Sequence, residues 1–280
     1  SYRIVNRWKF PDTNACIIFY NDLECTEAVW HYNFPASTIF DCFAIDTDID
    51  GTDEIATFYR YVDTIWLEIL DVPSKTSHRV PLSHGTDLDG SGHWDGSGRI
   101  LAAGDIDHDY KPELFINVDV GYDLYPRELI CFSPSRDTCL WRFEISGIVS
   151  ASNFYITPLH PGGPPRIIMG ICSKGNAAVV GDMDDLHSYL IVLDEQGQLQ
   201  WMKTLGFVFS TGLPVPADID SNDSLEILVP VRNDKSSSTP DSAGSLCLFS
   251  ETGDLVTTYS WGGDKHRWVK TLTVLPAHGN

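Results

Sequence analysis

Apolar and polar residues alternate along most of this chain, and no stretch keeps the three-to-four-residue spacing of an amphipathic helix. "YLIVLDEQGQLQW" (189–201), "LICFSPSRDTCLW" (129–141) and "SLCLFSETGDLVTTY" (245–259) each read as two strands around a tight turn. Gly197 and Gly253 fall at the same turn position, as residues of positive φ would. Ahead of each hairpin comes a strand, a loop and a second strand. The repeating unit is therefore strand, acidic loop, strand, longer loop, hairpin.

The acidic loop carries the clearest repeat. "AIDTDIDGTDEIATF" (44–58) places Asp46, Asp48, Asp50 and Glu54 just before an apolar run. "AAGDIDHDYKPELFINV" repeats the frame with Asp105, Asp107, Asp109 and Glu113, and "PADIDSNDSLEILVPV" with Asp218, Asp220, Asn222 and Glu226. The first acidic positions are 46, 105 and 218, so the second gap is about twice the first and predicts a copy midway. "ITPLHPGGPPRIIMGI" fills that place, with Pro158, His160, Gly162 and Arg166 where the other copies are acidic. "TLTVLPAHGN" begins a further copy as the sequence ends.

Four short antiparallel strands recurring at this period predict an all-β chain, a β-propeller of four-stranded blades forming one domain over 1–280. The blades are expected near 37–92, 97–148, 149–206 and 207–261. Residues 266–280 supply an innermost strand and 1–36 supply "YRIV", "ACIIFY" and "AVWHYN", which together complete a fifth blade and close the ring.

Three carboxylates one residue apart repel each other unless something gathers them. In a tight loop with D-x-D-x-[DN]-x-x-x-[DE] spacing, positions 1, 3 and 5 turn oxygens to one point, and a position-7 carbonyl and the later carboxylate complete an oxygen cage. Hard oxygen ligands in a flexible loop suit Ca2+ better than zinc or copper. The expected ligands are Asp46, Asp48, Asp50, Thr52 and Glu54; Asp105, Asp107, Asp109, Lys111 and Glu113; and Asp218, Asp220, Asn222, Ser224 and Glu226. The unit with Pro158, His160 and Gly162 is expected to bind no calcium. "HGTDLDGSGHWDGSG" (84–98) also spaces Asp87, Asp89, Ser91 and Asp95 alternately, outside the repeat position. It reads either as a Gly/Ser connector or as a further cation or ligand site.

Composition narrows the partners. A net charge of −20 argues against nucleic acid and anionic membranes, and no apolar run is long enough to span a bilayer. The seven cysteines form neither a metal-type CxxC nor a regular disulfide framework, although Cys131 could face Cys139, and Cys16 could face Cys25. The chain opens on "SYRIVNRWKF", without a signal peptide, and reads as a piece of a longer protein.

With its acidic loops and blade-length period, the sequence resembles the FG-GAP/VCBS repeat family, the calcium-loop propeller repeats also found in integrin α-subunit heads. The resemblance implies a propeller with structural Ca2+ in an extracellular or periplasmic recognition or adhesion protein; some members are lectins or polysaccharide lyases. The family favours glycine at loop position 6, where Gly51 fits, Asp223 is tolerable and Tyr110 is awkward.

In a propeller the long loops opposite the calcium loops present the ligand face. Trp8, Trp94, Asp95, Tyr122, Tyr125, His187, Trp261, His266, Arg267 and Trp268 lie in those loops and are the candidate contacts for a small-molecule, glycan or protein ligand. No GxSxG, HExxH or P-loop occurs, so the sequence points to a non-catalytic, calcium-stabilised recognition domain, sensory or adhesive. The alternatives are a polysaccharide lyase or hydrolase, with His93, His187 or His266 as base, and a protein-interaction platform.

Overall fold

The computed structural model describes residues 3–7, 15–20, 28–36, 39–172, 175–207, 214–232 and 244–261. Among them every regular element is a β-strand except one 3₁₀ turn, Pro134–Arg136, and every paired strand is antiparallel to its neighbour. No described helix is long and apolar enough to cross a membrane.

Strands β1 (Arg3–Arg7), β2 (Cys16–Tyr20) and β3 (Ala28–Asn33) form a three-stranded sheet. β4 (Ile39–Ile45), β5 (Glu54–Tyr61), β6 (Thr64–Asp71) and β7 (Thr76–His84) follow as a four-stranded meander. The next meander is β8 (Ser97–Gly104), β9 (Glu113–Asp119), β10 (Glu128–Ser133) and β11 (Thr138–Glu144). A third sheet pairs β12 (Ile148–Pro158) with β13 (Pro165–Cys172), which pairs in turn with β16 (His187–Leu193) and β17 (Leu199–Phe207). Between β13 and β16 the chain makes a separate small hairpin, β14 (Val179–Val180) and β15 (Met183–Asp184). The last sheet is β18 (Val215–Ala217), β19 (Glu226–Arg232), β20 (Gly244–Phe249) and β21 (Leu255–Trp261). The strand expected from 266 onward lies outside the described residues, as does Cys25.

The middle strands are buried on both faces, as their unbroken apolar runs require: β9 and β10 are buried almost throughout, whereas the outer strand β7 is largely exposed and β11 is half-buried to exposed. By contact density the chain divides into two compact units. One comprises Ser1–Asp105, Asp109–Pro126 and Phe132–Cys139; the other comprises Ile106–His108, Arg127–Cys131 and Leu140–Asn280. In the first, Ile17 and Phe19 of the three-stranded sheet pack against Ile55, Tyr59 and Leu70 of β5 and β6. A run of aromatic rings, Phe19, Trp30, Tyr32, Phe34 and Tyr59, crosses that junction with centroids 5.0–5.3 Å apart. In the second, Ile168, Leu190 and Val192 pack against Ile227, Val229 and Phe249.

Within the second unit one contact between an indole and a hairpin turn occurs twice. The Trp141 indole lies against Gly197 in the next hairpin turn, where a Cβ would stand 2.5–2.9 Å from the ring, and its N–H donates to the Glu195 carbonyl at 3.0 Å. Trp201 does the same one sheet later, against Gly253 (2.6–3.0 Å) and the Glu251 carbonyl (2.9 Å). Any side chain at either glycine would displace the ring. In the first unit, where the hairpin turn has left-handed Asp137 (φ 53°) in place of glycine, His78 reaches the Asp137 carboxylate at 2.7 Å.

Among the described residues no disulfide joins Cys131 to Cys139. Burial pushes the Cys42 thiol up to about 11, with the Asp41 charge adding to it and the Thr57 hydroxyl contact pulling against it. One charge pair is wholly enclosed. Arg127 donates to the Asp185 carboxylate at 2.9 Å, to the Ser146 carbonyl and to Asn176, and both charged side chains have no solvent exposure. Removing one member of such a pair strands the other charge. Asp185→Ala is expected to lower stability by about 3–5 kcal/mol, seen as a fall in the urea midpoint at unchanged m-value.

Candidate functional site

The acidic turns join the first and second strands of three of the four-stranded sheets, at 46–54, 105–113 and 218–226. All three use one hydrogen-bond frame. Asp46 accepts Asp50 N–H (3.1 Å) on one oxygen and Gly51 N–H (2.9 Å) on the other. Asp105 accepts Asp109 N–H (3.1 Å) and Tyr110 N–H (3.0 Å), and Asp218 accepts Asn222 N–H and Asp223 N–H, each at 3.2 Å. The position-7 N–H of Thr52, Lys111 and Ser224 returns to the side chain of Asp50, Asp109 and Asn222 at 2.7–2.8 Å.

This frame forces two residues of each turn into the left-handed region. At position 6 these are Gly51 (φ 87°), Tyr110 (70°) and Asp223 (67°). At position 4 they are Ile49 (65°), His108 (62°) and Ser221 (63°). A non-glycine residue there is strained by roughly 1–2 kcal/mol, so β-branched Ile49 and bulky Tyr110 hold their conformation because the Asp carboxylate holds two adjacent N–H groups.

Each turn gathers three carboxylate oxygens within 4.8 Å of one another: Asp46, Asp48 and Asp50; Asp105, Asp107 and Glu113; Asp218, Asp220 and Glu226. Oxygens bound to one Ca2+ at roughly 2.3–2.6 Å are separated by no more than about 5 Å, so these donor sets fit that ion. The turns differ in detail. Glu54 lies outside the first cluster and instead accepts the Thr47 N–H (2.8 Å) and hydroxyl (2.6 Å). Burial pushes its carboxyl above the ordinary range, the Thr47 bonds pull against that, and Asp48 and Asp46 add to it. Glu226 accepts Ile219 N–H at 2.9 Å while remaining in its cluster. Asp109 lies outside its cluster, with one oxygen drawn to Arg136 at 2.6 Å.

A fourth turn of the same construction lies at 87–92. Asp87 accepts Ser91 N–H (3.1 Å) and Gly92 N–H (2.7 Å), Asp89 accepts Ser91 N–H (2.8 Å), and Gly90 and Gly92 supply the positive φ at positions 4 and 6. Its third carboxylate is Asp123, fully buried and distant in sequence. Asp123 accepts Leu88 N–H (2.6 Å) and Asp89 N–H (3.0 Å) on one oxygen and Asp95 N–H (2.7 Å) on the other. Burial works to raise its carboxyl, but these backbone donors outweigh it and hold it below the ordinary aspartate value of 3.8.

The expected ligand contacts separate into three groups. Trp94 is fully enclosed: its ring is sandwiched between Gly85 and Gly96, where Cβ atoms would lie 2.2–2.5 Å away, and its N–H donates to the Tyr125 carbonyl at 3.0 Å. It packs and offers no face to a ligand. Asp95 accepts Gly121 N–H (3.1 Å) and Tyr122 N–H (2.7 Å), which sets the loop bearing the exposed Tyr122 and Tyr125 rings. His187, in the second unit, is half-buried against Asp184, its Nδ1 at 2.8 Å from Oδ1. Burial acts to raise the Asp184 carboxyl, but the bonds from His187 and Leu186 prevail and keep it low. Trp8, His266, Arg267 and Trp268 lie outside the described residues, and Trp261 ends β21.

No protein-family model matches the chain, and no curated protein sequence matches it. Solved structures with a distant likeness include a Bacillus licheniformis rhamnogalacturonan lyase, at 12% identity and a TM-score of 0.42 over 91% of this chain and 60% of that one. Others are the rhamnogalacturonan lyase YesW (14%, 0.41, 92% and 52%) and the exotype rhamnogalacturonan lyase YesX (12%, 0.39, 90% and 49%). The chain spans about half to three-fifths of the length of these structures.

Asp123 gives a signed prediction. Because its folded carboxyl titrates below 3.8, its contribution is complete above that pH and is lost as pH falls through the folded value. In chelator, Asp123→Asn is expected to cost roughly 2–4 kcal/mol at neutral pH. The gap between the two midpoints should stay constant from pH 8 to about 4 and close below that, as read by urea titration.

Proposed function

We propose that the chain is a calcium-stabilised recognition domain built from FG-GAP/VCBS-like propeller repeats and acting outside the cytoplasm. The observation that carries this reading is the single hydrogen-bond frame shared by the acidic turns at 46, 105 and 218, each with three carboxylate oxygens within 4.8 Å. Asp46, Asp48 and Asp50 would hold one ion, Asp105, Asp107 and Glu113 a second, and Asp218, Asp220 and Glu226 a third. The carbonyls of Thr52, Lys111 and Ser224 are the further ligands expected from the spacing. Ca2+ neutralises the mutual repulsion of these groups; the protein's own residues hold the turn that presents them. Exposed turns of this kind suit the millimolar calcium of extracytoplasmic fluids. Tyr122 and Tyr125, set by Asp95, belong to the proposed ligand face.

A second reading, a polysaccharide lyase on the same scaffold, is favoured by the His187–Asp184 pair. A carboxylate on one imidazole nitrogen orients the ring for proton abstraction through the other. Rhamnogalacturonan is the substrate to assay, since it is named by the three lyases above.

Calcium at a hundredfold excess over its Kd contributes about 2.7 kcal/mol per site, roughly 5–10 °C in a chain of this size. The wild-type thermal midpoint is expected to rise by at least that between chelator and calcium, and Asp46→Ala/Asp48→Ala to lose one site's share. Asp48→Ala alone should reverse sign: neutral or stabilising in chelator, where repulsion falls, and destabilising in calcium. A wild-type midpoint indifferent to calcium overturns the metal assignment. Unsaturated product released from rhamnogalacturonan, and lost in His187→Ala, replaces the recognition reading with the lyase.

A further inference from the structure

The turn between β12 and β13 is the one whose copy of the repeat carries no acid from Pro158 to Pro165. It closes on itself through Gly163 N–H, which donates to the His160 carbonyl at 3.0 Å, with Gly162 at φ 71°. The His160 ring folds back over Gly163, where a Cβ would meet it at 2.6–2.9 Å. Leu225 N–H donates to the Leu159 carbonyl at 2.6 Å and fastens the turn to the chain entering β19.

Beside this turn lies a cavity of about 330 Å³, lined by His160, Arg166, Gln200, Trp201, Glu251 and Thr252 among others. All belong to the second compact unit. The charges on its walls are already matched: Arg166 pairs with Glu195 and His160 with Glu251, each at 3.2 Å. A free anion or cation would have to compete with those contacts. The Trp201 indole is fixed by its bond to the Glu251 carbonyl and by Gly253 beneath the ring, so an aromatic wall stands ready without reordering. Beside it the Thr252 hydroxyl donates to Asp254 at 2.9 Å and Gln200 Nε2 donates to Asp194 at 2.8 Å, which leaves the Gln200 amide oxygen as an acceptor toward a ligand.

Binding cavities usually measure ~300–1,000 Å³ and combine apolar walls with a few placed polar groups. An aromatic wall, the apolar Leu159, Pro164 and Val192 and a few polar groups suit a ligand with one apolar face and a rim of hydroxyls, about the size of one ring. We propose that this cavity binds a neutral pyranose. The site is distinct from the acidic turns and needs no cation, so it extends the recognition reading without resting on calcium.

Saturation-transfer NMR tests it on the full chain with three probes at millimolar concentration: methyl α-L-rhamnopyranoside, methyl β-D-galactopyranoside and, as an anionic counter-probe, sodium galacturonate. A transfer signal is expected from at least one neutral glycoside, in calcium and in chelator alike, and from the uronate weakly or not at all. Trp201→Ala should abolish it. Because that indole also holds the Glu251–Gly253 turn, Gln200→Ala is the second variant: its side chain is exposed and its bond to Asp194 (2.8 Å) lies at the surface, so the thermal midpoint should change little while affinity falls roughly 5–10-fold. No signal from either neutral glycoside, a signal from the uronate alone, or neutral binding unchanged in both variants overturns the proposal. A missing calcium response with sugar binding intact overturns only the metal assignment.

Discussion

One carboxylate accepting two successive main-chain N–H groups shapes the acidic turns of this protein. Asp46, Asp87, Asp105 and Asp218 each do so, and in each case the chain takes the left-handed conformation at the fourth and sixth positions. The bonds turn the chain sharply enough to bring later carboxylates onto the same point. The same turn therefore concentrates negative charge and strains non-glycine residues such as Ile49 and Tyr110. A bound cation would relieve the first cost and leave the second, since the strain belongs to the backbone.

Around these turns the sheets manage buried polarity in two ways. Backbone donors satisfy the deeply buried Asp123, whereas Arg127 and Asp185 satisfy each other together with Ser146 and Asn176. Glu68, also buried, is held by the hydroxyls of Tyr32 from β3 and Tyr59 from β5. That carboxylate places a polar tie between two sheets whose other contacts are largely aromatic and aliphatic, and it fixes their register where packing alone would tolerate sliding.

What could be read in the sequence was local. Two-residue alternation marked the hairpins, unbroken apolar runs marked the buried middle strands, and the D-x-D-x-[DN] spacing marked turns whose first aspartate holds the backbone. What escaped was tertiary. Nothing near Asp123 announces that it joins the 87–92 turn, because its partners lie about thirty residues earlier. Trp94 sits in polar, glycine-rich surroundings typical of an exposed loop, yet those glycines admit the ring into the core. Asp109 repeats the spacing of Asp50 but meets Arg136, a residue no periodicity connects to it. The small β14–β15 hairpin is too short for alternation to register.

The indole–glycine contact has a consequence for how such a chain can grow. The sheet of β12, β13, β16 and β17 carries a receiving glycine, Gly197, in its hairpin turn and a donating indole, Trp201, on its outer strand. A tandem duplicate of that segment would dock onto its parent through groups already present, with no compensating change at the seam. The β18–β21 sheet keeps the glycine but has Thr257 near the place of the indole, so a copy added after it would arrive without a hook.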